Sequence, residues 1–168
     1  MPNFKLTSMD FINPMAIVLA ALSAMVVGFI WYNPKVFGSA WMQAAGLSEA
    51  QLKTGNMFKI FGLVLVFAFL LAIAMPNIVV HQMGVHSLVQ GETGTLPEYN
   101  AFLNVYGDAF RTFKHGVLHG VIAGIFIALP ILGTSAVFEH KSAKYIFINA
   151  GYWIVTLGIM GGIICGWK

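Results

Sequence analysis

Apolar residues come in four long blocks, and charge is almost absent from them. The blocks cover residues 14–31, 60–80, 117–138 and 145–167, each close to the ~20 residues that carry a helix across a bilayer. Asn13-Pro14 opens the first: asparagine caps, and proline at the first helical position has no orphan N–H to satisfy. Trp31-Tyr32-Asn33-Pro34 closes it, with aromatics suited to the headgroup level and a proline that disfavours helix at the residue before it. The second block is the least ambiguous. Its eleven Ile, Leu, Val and Phe residues between Ile60 and Ile73 favour insertion by roughly 3–7 kcal/mol. Pro76 should kink or end that helix, and Pro130 should kink the third.

The polar stretches predict smaller elements. After the first block, residues 35–45 read as a short amphipathic helix in the interface plane, with Phe37 and Trp41 on one face and Gly46 ending it. Ser48 and Gln51 read as a capping box opening a helix that continues past Gly55 into the second block. Residues 81–107 read as a polar segment: a loop containing Gly84, Gly91, Glu92 and Gly94, then a helix beginning at Pro97 and running into the third block. The expected fold is therefore all-α: an integral-membrane four-helix bundle, one domain over residues 1–168, with a short interfacial helix after the first span.

Composition agrees. The chain is 58% hydrophobic and 9% charged, where soluble domains average about 25% charged; four such helices would leave too little polar surface to cover them. The net charge of +3 comes without a run of Lys or Arg, so nucleic acid is not a partner; the expected one is the lipid bilayer. Lone Cys165 excludes an intrachain disulfide. The positive-inside comparison is nearly a tie between the two sides, and the more acidic 81–107 segment places the short connections in the cytoplasm.

Two rows of small residues stand out. Gly116, Gly120 and Gly124 recur every four residues, as do Gly158, Gly162 and Gly166. Such rows let backbones approach closely, either within the bundle or as a homo-oligomer seam. In the last block Asn149, Tyr152 and Thr156 form a polar line opposite its glycines; a buried asparagine needs a partner, so a bundle-locking contact is expected.

A polar stripe overlaps the first row. On a continuous helix over 97–126, Asn104, Asp108, Arg111, His115 and His119 fall within an arc of about 80° at ~100° per residue. Asp108 and Arg111 could pair at i, i+3. The charged members belong at the interface, whereas neutral imidazoles can sit deeper. The stripe could line a vestibule that relays protons or binds a polar ligand, or simply be a solvated helix end. His115 and His119 also have the spacing of two ligands on one helix, without the glutamate of the HExxH motif. Asp108, His81 or His86 could supply a third ligand, but a pair alone makes no site. No metal, cofactor or catalytic residue is assigned.

The string Trp31-Tyr32-Asn33-Pro34-Lys35-Val36-Phe37-Gly38, with Trp41-Met42 and Gly46-Leu47-Ser48, resembles the hallmark of a bacterial membrane family catalogued as domain of unknown function 1761. Ile148-Asn149-Ala150-Gly151-Tyr152-Trp153, with Gly161 and Trp167, is similar to that family's last helix. The resemblance implies a multi-pass protein of the bacterial cytoplasmic membrane and transfers no activity. The expected role is a non-enzymatic accessory or scaffolding subunit, self-associating or joined to other membrane subunits. The alternatives are a small-solute or proton-coupled transporter using the stripe, and a membrane enzyme or metal-binding protein acting on a lipid-soluble substrate.

Overall fold

The computed structural model describes residues 12–89 and 96–168; Gly91, Glu92 and Gly94 lie outside them. Every regular element among the described residues is helical. Four helical stretches are long and apolar enough to cross a membrane: Pro14–Trp31, Met57–Val79, Phe113–Phe138 and Ala143–Gly166. The chain is an all-α, four-helix bundle of membrane type.

Helix α1 (Pro14–Trp31) starts where expected: the Asn13 side chain accepts from Met15 N and Pro14 takes the first turn. The chain then turns through a π-helical segment, Pro34–Gly38, into the short α2 (Ser39–Ala45). Gly46, at φ +75°, ends α2 in the left-handed region that glycine adopts at least cost. Ser48 and Gln51 form a reciprocal capping box on α3 (Glu49–Lys53). That helix does not continue into the second span as anticipated: Thr54 ends it, and Asn56 caps a new helix, α4 (Met57–Ala74).

Pro76 breaks the second span as its missing N–H requires, and α5 (Pro76–Val79) finishes it. The segment anticipated as loop from residue 81 instead carries α6 (Gln82–Val89). Helix α7 (Pro97–Tyr106) begins at the predicted proline. Next come α8 (Phe113–Ala123), a π-helical turn Gly124–Ala128 and α9 (Leu129–Phe138). The widened turn lies immediately before Pro130, where the ring crowds the preceding carbonyls. The last span is α10 (Ala143–Gly166), capped by Ser142.

Helix α10 is the axis of the bundle. It packs against α8, α1, the π-helical turn, α9, α2 and α5. Half of its apolar window is buried, against 11% for α4, which rests chiefly on α1. A buried core of Ala20, Ala24, Met75, Val79, Leu157, Met160 and Ile164 runs along these contacts.

Both glycine rows lie in the α8–α10 seam. A Cβ on Gly116 would strike the Gly161 carbonyl, and one on Gly120 the Leu157 carbonyl. A Cβ on Gly124 would come to 2.6 Å from Ile154 Cα, and on Gly162 to 2.7 Å from the Phe113 ring. Gly166 meets Phe113 N at 2.7 Å, and Gly158 meets Val121 at 3.2 Å. The rows thus bring two helices of one chain together.

The motif after the first span has a structural explanation. Trp31 Nε1 donates to the Ile148 carbonyl at 3.0 Å, and the Tyr32 hydroxyl donates to Asn149 Oδ1 at 2.9 Å. Asn149 Nδ2 in turn donates to the Tyr145 carbonyl, and the Tyr152 hydroxyl to the Ala24 carbonyl at 3.1 Å. Thr156, on the same line, is fully buried. Trp31 packs on Phe37, Tyr32 on Trp41, and a Cβ on Gly38 would collide with the Tyr32 carbonyl. These contacts join the first span, the interfacial turn and the last span.

Candidate functional site: a three-histidine cluster

The predicted helix over 97–126 is interrupted, which rearranges the polar stripe. Helix α7 ends at Tyr106, and Thr112, in extended conformation, caps α8 by accepting from His115 N at 3.2 Å. Between them the chain turns, with Phe110 at φ +62°. A bulky residue in the left-handed region is a genuine outlier, and such strain persists only where surrounding contacts fix it.

Those contacts come from three directions. Arg111, which is 6% exposed, turns inward and donates from Nε to the Cys165 carbonyl at 3.1 Å. Gln82 Nε2 bridges the Tyr106 and Ala109 carbonyls at 2.7 and 3.0 Å. Asp108 pairs with Lys168 at 2.9 Å rather than with Arg111; the ammonium beside it holds its carboxyl below the usual carboxylate range. Asn104 stays exposed on α7. Of the stripe, only His115 and His119 remain together, one turn apart on α8.

A third histidine joins them from a distant part of the chain. After α5, Val80 is extended and delivers His81 to the face of α8; α5 packs against α8. His81 Nε2 lies 2.9 Å from His115 Nε2. The His81 ring centroid is 5.0 Å from that of His115 and 4.9 Å from that of His119, and the two α8 rings are 4.5 Å apart. One ligand nitrogen from each of the three histidines falls within 4.8 Å of the others. Neither other candidate third ligand takes part: His86 Nδ1 is 3.0 Å from the Tyr99 hydroxyl, and Asp108 is on Lys168.

The donor chemistry is specific. At 2.9 Å one nitrogen of the His81–His115 pair must donate and the other accept, so at most one of the two rings is a cation. An accepting nitrogen aimed into the cluster is also the lone pair that a metal ion takes. Tetrahedral bonds of ~2.0–2.1 Å place ligand nitrogens ~3.3 Å apart, close to the 2.9 Å of the His81–His115 pair. His81 is exposed and the other two are half-buried, leaving one side of the cluster open. Phe110 covers another: its ring stacks on His115 with centroids 5.0 Å apart, and stands edge-on to His81 at 5.8 Å. The strained turn therefore presses an aromatic wall against two of the three rings.

A larger cleft, of about 460 Å³, lies toward the opposite end of the bundle between α1, α4 and α10. Gly28, Phe29, Phe61 and Tyr152 line it, and it carries no comparable set of donors.

A family model described as protein of unknown function (DUF1761) matches residues 15–165. No curated protein and no solved structure matches the chain.

Proposed function

The chain belongs to the DUF1761 family, and because that membership brings no activity with it, we propose a function from the site itself: a membrane protein that binds one first-row transition-metal ion through His81, His115 and His119. The observation that carries this reading is the convergence of three imidazole nitrogens within 4.8 Å, one of them from 34 residues away. Imidazole suits Zn²⁺, copper, iron and nickel. Three protein ligands with an open side match the arrangement in which zinc keeps a position for water or substrate, whereas a structural site closes with four. The turn at 107–112 supports the reading, since it holds Phe110 in a left-handed conformation directly against His115.

The scaffolding role loses its main motive, because the glycine rows that would drive association are occupied by the chain's own α8–α10 seam. Assembly with another membrane subunit is the second reading, and it draws on the mostly unburied face of α4. Transport through the stripe has less support, since Asn104, Asp108 and Arg111 do not line up with the histidines.

The test is the metal content of tag-free protein after dialysis against low-micromolar Zn²⁺, compared with His81→Ala and His119→Ala. The reading predicts one tightly held equivalent in the parent and loss in both variants. Equal metal in all three, or less than about a tenth of an equivalent in the parent, would overturn it.

A further inference from the structure

Through His81 the cluster meets a pocket of about 260 Å³ between α6, α7 and the strained turn. Val85, Phe102, Tyr106 and Phe110 form its walls, and His81 lines it too. Two residues are thus shared: His81 is a member of the cluster and of the pocket wall, and Phe110 lines the pocket while stacking on His115. Gln82 fixes this geometry by bonding the carbonyls on either side of the pocket's Tyr106–Ala109 edge. Helices α6 and α7 follow the end of one span and precede the next, so the pocket lies at the membrane boundary.

We infer that this pocket takes the apolar body of a small lipid-soluble molecule whose polar head ligates the metal at its open position. The inference rests on the metal-site reading and adds the ligand class. Four observations point to this occupant. The lining is overwhelmingly apolar and aromatic, so it rejects a strongly polar body, whose groups would lose water without gaining partners. Its volume lies just below the ~300–1,000 Å³ of drug-sized sites, so the body is small: a ring or a short branched chain. It adjoins a metal ligand, which gives the head something to bind. And its wall at Phe110 is held in a costly conformation by Arg111 and Gln82, as expected of a surface whose shape matters.

The experiment uses two probes with the same metal-binding head, acetohydroxamate and benzohydroxamate, titrated against Co²⁺-loaded full-length protein in nanodiscs. Displacement of the cobalt absorption band reports head binding. The phenyl-bearing probe should bind at least about tenfold more tightly, the usual discrimination of an apolar pocket for added hydrocarbon. Two variants remove the preference by opposite means: Phe102→Ala opens the pocket and Val85→Phe fills it. Both should keep the cobalt spectrum and bind the two probes alike. Equal affinities in the parent, with cobalt bound, would overturn the inference and leave the metal site standing. A preference that persists in both variants would place the phenyl group elsewhere and also overturn it. A protein that takes up no cobalt would overturn both this inference and the reading beneath it.

Discussion

His81 and His115 touch through their Nε2 atoms at 2.9 Å although 34 residues separate them. This contact links the end of the second span to the start of the third and converts a pair of histidines on one helix into a trio. His81→Phe keeps a ring in place and removes the nitrogen. Loss of a partner behind a metal ligand costs ~10–100-fold in metal affinity, so loss of the ligand itself should cost more. The fold should be little changed, since a single hydrogen bond contributes only about 0.5–1.5 kcal/mol. Competition with a zinc-responsive dye would measure the first, and thermal unfolding in detergent the second. A variant with unaltered zinc affinity would contradict the assignment.

Arg111 should matter without touching the metal. Its Nε bond to the Cys165 carbonyl holds the turn that places Phe110 on His115. Lysine carries its only side-chain nitrogen one bond further out, as a strongly hydrated ammonium, and does not repeat that Nε bond, so Arg111→Lys should weaken metal binding by roughly 10–100-fold with all three ligands intact. A dye competition giving the parent's affinity would show that the turn is structural only.

The exposed pair between Asp108 and Lys168 provides a contrast. The Asp108 carboxyl is held below its ordinary range by Lys168, so the pair stabilises the fold above the unfolded-state pKa. That contribution is lost as pH falls through the lowered folded-state value. Asp108→Asn should therefore be slightly less stable than the parent near neutrality and equal to it in acid. Both groups are well exposed, so the gap should be small and should shrink with salt. Melting curves at two pH values and two ionic strengths would read it, and a gap that widens in acid would refute the assigned pairing.

The glycines differ sharply in what they tolerate. Gly120→Ala would drive a methyl into the Leu157 carbonyl, whereas a Cβ at Gly62 meets nothing within 4 Å. The first should cost at least the ~1–3 kcal/mol of overpacking, because backbone on both sides cannot yield. The second should be neutral or stabilising by up to about 1 kcal/mol, the ordinary helix preference for alanine. Comparable unfolding temperatures for the two would contradict the α8–α10 seam.

The four spans, the caps at Asn13 and Ser48, and the breaks near Pro76 and Pro130 could be read from the sequence because each follows from local chemistry: uninterrupted apolar length, a capping side chain, a missing N–H. The residues from Asn104 to His119 share one face only on a continuous helix, and the turn at 107–112 interrupts it. Nothing local to Phe110 demands a left-handed backbone; Arg111, Gln82 and Cys165 impose it from other elements. Periodicity likewise found His115 and His119, which share a helix, but could name His81 only as one of several third partners. Its position depends on how α5 packs on α8. The glycine rows were visible as surfaces for close approach, while their destination, the chain's own neighbouring helix, is a tertiary fact.

The most direct test of the central claim is a Co²⁺ titration of tag-free protein in nanodiscs, followed by visible absorption and repeated with His115→Ala. The account predicts a band of tetrahedral strength saturating at one equivalent in the parent and absent from the variant. No band in the parent, or the same band in both, would contradict the three-histidine site.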